Sequence, residues 1–225
     1  MLGIISGIGS AVGSFLTSSV SAVSGLLTKV ASKIGPTISG LVSKVINLGI
    51  ETLQRVSPII EGVSKIIGVI KENDNIDDIG DRAIRCERRE EDFNSTSEYI
   101  SYLKENFEAR DLEKLSAEER LLRKAIGSAI LSKAISEKLS LEIPIELWKV
   151  AIEAGLSAKE LDSFLKQFKQ DGIKPEDFVK YLKQELAEKE EQKIEDVLVS
   201  AYKELEPDTP IFKIEEKVVG LPYRK

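Results

Sequence analysis

Gly155-Leu-Ser-Ala-Lys-Glu-Leu-Asp-Ser-Phe-Leu-Lys166 and Gly172-Ile-Lys-Pro-Glu-Asp-Phe-Val-Lys-Tyr-Leu-Lys183 are two copies of one pattern at an offset of 17 residues (172 minus 155). Each begins with a glycine suited to closing the preceding helix. An apolar residue that tucks inward follows, Leu156 or Ile173, and then a helix whose positions 161, 164, 165 or 178, 181, 182 face a common core. Connections this short place neighbouring helices antiparallel or steeply crossed, which makes a compact bundle.

The flanking sequence is written in the same code. Ser95-Thr-Ser-Glu98, Ser116-Ala-Glu-Glu119 and Ser157-Ala-Lys-Glu160 all fit the capping box, in which a serine hydroxyl and a glutamate carboxylate satisfy each other's backbone N–H groups at a helix start. Apolar stripes follow: Tyr99, Tyr102, Leu103 and Phe107, then Leu121, Leu122, Ala125, Ala129, Ile130 and Ile135. The segment from Pro144 to Gly155 is opened by proline and closed by glycine, with Trp148 as its core anchor. Residues 187–206 read as a charged helix with Ile194, Val197, Leu198, Ala201 and Leu205 along one edge. After Pro207 and Pro210, the pattern Ile211-Phe-Lys-Ile-Glu-Glu-Lys-Val-Val219 predicts an extended, strand-like tail over 207–225, which needs a sheet edge in cis or in trans.

Composition agrees. The chain has 225 residues, 42% hydrophobic, 31% charged and only 6% aromatic, enough to bury a core without staples. The expected fold is all-α: apolar amphipathic N-terminal helices, then a compact multi-helix bundle, then a short extended C-terminal tail. The expected boundaries are an amphipathic segment over 1–70, a charged linker over 71–92, an acidic helical domain over 93–206 and the tail over 207–225.

The N-terminal segment is unlike the rest. Residues 1–50 hold Lys29, Lys33 and Lys44 and no acid; with a total of −6, this leaves −9 on residues 51–225. Residues 1–28 contain seven Ser, two Thr and five Gly beside 14 apolar side chains, too few for the roughly 20 apolar residues of a spanning helix. A classical secretory signal needs a basic n-region, and Met1-Leu2-Gly3-Ile4-Ile5 has none. The expectation is synthesis in the cytoplasm, with delivery to a membrane or packaging in a particle.

Within that segment Ile5, Ile8, Val12, Phe15, Leu16, Val20, Val23, Leu27, Val30 and Ile34 recur at three- and four-residue steps, the stripe of an amphipathic helix with a Ser/Gly opposite face. Ser10-Ala-Val-Gly-Ser-Phe-Leu-Thr17 is echoed 11 residues later by Ser21-Ala-Val-Ser-Gly-Leu-Leu-Thr28 (21 minus 10), close to three helical turns. Gly35-Pro36 breaks the helix. A further helix is expected to open at Ser57-Pro58, with Ser57 as N-cap. At roughly 1.5–3 kcal/mol for each fully buried large apolar side chain, ten of them are too much surface to leave in water. Three surfaces qualify as cover: a membrane interface, protein subunits in an oligomer or larger complex, or the chain's own core. The ten stripe residues are therefore the candidate membrane or partner contacts.

Chemistry is sparse. Histidine is absent and Cys86 is the only cysteine, which removes His-based acid/base catalysis, Cys-His nucleophiles, His or Cys zinc sites and intrachain disulfides. Asp74, Asp77, Asp78 and Asp81 lack the spacing of a calcium loop, and Gly7-Ile-Gly9-Ser-Ala-Val-Gly13 misses both phosphate-loop and dinucleotide spacing. No catalytic residue, metal or cofactor is expected. Cys86, between Arg85 and Arg88, reads as a structural thiol, and an acidic body without a basic stripe excludes nucleic acid as a partner. The expected function is that of a non-enzymatic membrane-interacting protein of a bacteriocin-like, pore-forming or particle-delivered kind, its acidic domain docking to partners. The alternative is a structural component of a phage-like or secretion-machine assembly, with the N-terminal helices buried between subunits.

Overall fold

The computed structural model of the protein describes the backbone of residues 6–223 and the side chains of residues 20–222. Among the described residues there are eleven α-helices and no strand: α1 Ser6–Ile34, α2 Pro36–Asn47, α3 Ile50–Ile66, α4 Ile76–Arg85, α5 Thr96–Asn106, α6 Ala117–Leu139, α7 Ile145–Glu153, α8 Ala158–Asp171, α9 Pro175–Leu182, α10 Glu188–Leu205 and α11 Ile211–Val219, with short 3-10 turns at Glu90–Asp92 and Leu221–Tyr223. The all-α class read from the caps and stripes is what the chain adopts. The chain divides into two compact units, Met1–Ser57 with Asp74–Ile130 and Pro58–Asn73 with Leu131–Lys225, the divisions falling inside α3, just before α4 and inside α6.

The helix signals are realised as hydrogen bonds. Ser95, Ser116 and Ser157 each accept from the backbone N–H three residues on, and Glu119 and Glu160 reciprocate at the serine N–H. Gly155 and Gly172 close their helices at φ +69° and +65°, the left-handed region open to glycine.

In the first unit, α1 packs on α2 and α4, and α4 crosses α6 almost backbone to backbone. A Cβ on Gly80 would lie 1.9 Å from the Arg123 carbonyl oxygen, and one on Gly127 would lie 2.0 Å from that of Ile76. This approach sets Asp81, 1% exposed, against Arg123, whose Nε donates to Asp81 Oδ1 at 2.8 Å. Arg85 Nε reaches Oδ2 at 2.9 Å and Arg110 Nη2 reaches Oδ1 at 2.6 Å. Burial raises the Asp81 pKa, but hydrogen bonds from Arg110 and Arg123 outweigh it and hold the carboxyl below the ordinary aspartate range. The other acids of this stretch are also engaged, Asp74 with Lys104 and Asp77 with Lys124, while Asp78 and Asn75 cap the start of α4.

Three expectations need correction here. Residues 71–92, expected as a charged linker, supply α4 and the Asp81 cluster: Arg123 from α6, Arg110 from the segment before it and Arg85 of α4 itself neutralise the charge that made the stretch look solvent-facing. The helix expected to open at Ser57 begins at Ile50 and runs through Pro58. Ser57 caps nothing; buried in the helix, it donates to Leu53 O at 2.7 Å and meets Ser128 Oγ at 3.0 Å. Finally, the 93–206 domain boundary is not that of the units, since residues 93–130 fold with the N-terminal helices.

In the second unit the two repeat copies form α8 and α9, and Phe164, Phe168, Phe178 and Tyr202 interlock with ring centroids 5.1–6.4 Å apart. Trp148 is fully buried and donates from Nε1 to Ser132 Oγ at 2.8 Å, which satisfies its polar edge as a core anchor requires. The extended tail expected over 207–225 is instead helical across Ile211–Val219. Ile214 and Val218, four residues apart and both 0% exposed, bury one helical face. Tyr181 OH donates to Val218 O at 3.0 Å. Lys217 bridges Glu160 at 3.2 Å and Glu206 at 2.6 Å, and its ammonium lies 4.0 Å from the centre of the Tyr202 ring.

Four single substitutions test this packing by urea denaturation. Gly80→Ala or Gly127→Ala is expected to cost about 2–3 kcal/mol through enforced separation of α4 and α6, whereas Gly40→Ala, in open space on α2, is expected to add about 0.5–1 kcal/mol. Asp81→Asn is expected to cost about 3 kcal/mol by leaving Arg123 buried without its counter-charge.

Candidate contact surface at the N-terminal helices

The ten stripe residues divide into three groups. Val23, Leu27 and Ile34 are buried, at 1%, 7% and 1% exposure, and Val20 and Val30 are half-buried. Ile5, Ile8, Val12, Phe15 and Leu16 lie outside the described side chains. From Val23 onward the cover is the chain itself: α2 contributes Ile38, Val42, Val45 and Ile46, all buried, and α4 contributes Ile76 and Ile79. Of the three surfaces that qualify as cover, the chain's own core is therefore the one that takes Val23, Leu27 and Ile34.

The turn between α1 and α2 is built from a single residue and then fastened from afar. Gly35 adopts φ +82°, and its N–H donates to Ala31 O at 3.1 Å. Having no side chain, Gly35 leaves the N-terminal N–H groups of α2 without a local acceptor. Glu91 supplies it: Thr37 N–H donates to Glu91 Oε1 at 2.9 Å, and a Cβ on Gly35 would sit 2.1 Å from Glu91 Oε2. Two residues away, Arg89 Nε donates to Ser32 O at 3.0 Å, satisfying a carbonyl at the end of α1. Opposite charges thus meet opposite helix ends, each matching the local backbone dipole. Ser39 Oγ donates to Gly35 O at 2.7 Å and to Ala31 O at 3.2 Å, which ties α2 back along α1.

The 89–91 strap is itself anchored. Buried Glu90 accepts from Thr96 Oγ1 at 2.6 Å, Arg89 N–H donates to Asp92 Oδ2 at 2.8 Å, and the Arg88 guanidinium lies over Phe93 and Tyr102, at 4.1 and 5.0 Å from their ring centres. Neither Arg89 nor Glu91 stands out as a contact residue in the sequence. The available signal is negative: Gly35-Pro36 starts a helix with no capping side chain, so the acceptor has to come from elsewhere.

From Val20 onward the outward side of α1, like that of α2, is small and hydroxylated, with Lys29, Lys33 and Lys44 exposed upon it. Among the described residues no three His, Cys, Asp or Glu side chains gather as metal ligands, and Cys86 is buried, its thiol pushed up by burial against the opposing pull of Arg88. No described helix is long and apolar enough to cross a membrane. Compared with protein-family models, with curated proteins and with solved structures, the chain matches none.

Burial raises the Glu91 pKa, but the Thr37 hydrogen bonds and the Arg89 charge outweigh it, so the carboxyl titrates below the ordinary glutamate range. A folded-state pKa below the unfolded value of about 4.3 adds stability above that value and loses it as the pH falls through the native one. The urea midpoint of the wild type is therefore expected to fall on acidification below about pH 5. Glu91→Gln is expected to start lower at pH 7 and to fall less steeply, keeping the slope contributed by Asp81, Glu119 and Glu160, which are held low as well.

Proposed function

We propose that the chain is a non-enzymatic, membrane-contacting protein that brings the leading end of α1 to a bilayer while its helical body remains folded in water and docks to partner proteins. The observation that carries this reading is the apolar stripe itself. Val12, Val23 and Ile34 stand 11 residues apart on one meridian of the helix; the last two are in the core, and the stripe continues N-terminally through Leu16, Val12 and Ile8 in a stretch with no ionisable side chain before Lys29.

The geometry of α1 narrows the mode of contact. Its apolar side is the side that meets α2 and α4, so a bilayer laid along the full length of that side would run into the folded unit. End-on or oblique entry, N-terminus first, is the arrangement that remains. Residues 6–19 make about 21 Å of helix at 1.5 Å per residue, less than the roughly 30 Å hydrocarbon thickness. The helix is long enough to enter one leaflet and too short to span. Gly and Ser in this stretch lower its intrinsic helicity, so a docking surface adds to its order.

Flotation of the full-length protein with phosphatidylcholine vesicles tests the proposal. Wild type is expected to float, and Val12→Asp/Phe15→Asp is expected to reduce the floated fraction at least about tenfold with an unchanged melting temperature. Val23→Asp serves as contrast, since a charge in the core should melt the first unit. Absence of flotation together with a native mass above that of the monomer would instead place the stripe between subunits of an assembly.

A further inference from the structure

Resting on that reading, we infer that the membrane this protein selects is anionic, and that Lys29 and Lys33 of α1 with Lys44 of α2 form the selecting group. All three are exposed. No carboxylate occurs in residues 1–50, and Glu91, the acid that reaches α2, is committed to Thr37. Elsewhere the surface interleaves signs, as in the pairs Lys124 with Asp77, Lys166 with Asp162 and Lys180 with Glu176. The N-terminal helices are the exception, a +3 surface on a chain of net charge −6.

Helix direction aims the two lysines of α1, while Lys44, on a helix that returns along α1 after a one-residue turn, adds net charge without that tilt. Side chains on an α-helix lean toward its N-terminus, so the ammonium groups of Lys29 and Lys33 tilt toward the end of α1 that enters the bilayer. Measured along the axis, Lys29 follows Val20 by about 13 Å at 1.5 Å per residue. A lysine stem covers about half of that distance. The Lys29 charge then falls within the roughly 8–10 Å over which a surface potential survives physiological salt, where anionic headgroups attract it; Lys33, one turn and about 6 Å further along α1, adds a weaker, more screened attraction.

A simpler account exists for two of the three: Lys33 and Lys44 lie in the last turns of their helices, where a cation matches the backbone dipole. Lys29 lies a turn earlier and gains little from that end. The dipole account predicts an effect on melting and none on lipid choice, so the two accounts separate experimentally.

The measurement is partition of the full-length protein onto vesicles of phosphatidylcholine alone and of phosphatidylcholine with 30 mol% phosphatidylglycerol (about a third, a composition carrying a strong surface potential), at low and at high salt. Affinity is expected to be about tenfold or more higher for the anionic vesicles at low salt and nearly equal at high salt. Lys29→Gln/Lys33→Gln/Lys44→Gln is expected to bind both vesicles as the wild type binds the neutral ones, and the corresponding triple arginine variant is expected to keep the preference. Equal binding to both vesicles, indifferent to salt, overturns the charge selection and leaves bilayer entry standing. Binding to neither overturns both. If the glutamine variant fails to fold, the salt dependence of the wild type and the arginine variant still decide the matter.

Discussion

Two glycines that let α4 and α6 touch are the constraint on which the first unit depends. Ridges of side chains normally keep packed helices 8–10 Å apart. At Gly80 and Gly127 there are no side chains, and the backbones close until the missing Cβ positions overlap carbonyl oxygens of the opposite helix. Only at that separation does Asp81, immediately beside Gly80, reach Arg123 deep inside the unit. A single buried carboxylate facing three guanidinium groups is expensive to break and specific in its geometry, because Arg123, the buried one of the three, would be left desolvated without it. The small crossing and the ion cluster act as one device: the glycines admit the charge pair, and the pair fixes the register of the crossing.

With α4 seated on α6, the apolar face of α4 forms a floor for α1, and the strap at residues 88–91 holds the hinge above it. Arg89 on the last turn of α1 and Glu91 on the first turn of α2 divide the labour by charge. A one-residue turn is compact but cannot cap itself. The cap comes from a distant segment, so the angle between α1 and α2 is set by tertiary structure. The trailing half of α1 is thereby locked in place, and in the sequence the same apolar stripe runs on N-terminally through Leu16, Val12 and Ile8.

The second unit solves a different problem. Its repeats provide caps and aromatic residues at matching positions, and α8, α9 and α10 close around Phe164, Phe178 and Tyr202. The C-terminal helix joins because its two inward residues are matched by polar clamps. Tyr181 holds the α11 carbonyl at Val218, and Lys217 reaches two acids and an aromatic face. Ile211, Phe212 and Val219 remain exposed on its other side.

What the sequence determined by itself was local. Capping boxes, glycine closures, the 17-residue repeat and the stripe of α1 are relations between residues at most a few turns apart, and they specify helices because a serine, a glutamate or a glycine at the right offset satisfies or frees the backbone there. The tertiary structure alone decided where charge is buried and which apolar residues are in use. Asp81 meets Arg123 across 42 positions and Glu91 meets Thr37 across 54; a run rich in both signs is the same string whether it is solvated or paired in a core. The misread tail makes the same point. Ile211 to Val219 suits a strand or a helix by pattern, and the choice fell to the helix because a strand would put Glu216 on the same face between Ile214 and Val218, whereas the helical period buries those two and leaves Glu216 exposed, against a surface that exists only once α8, α9 and α10 have packed.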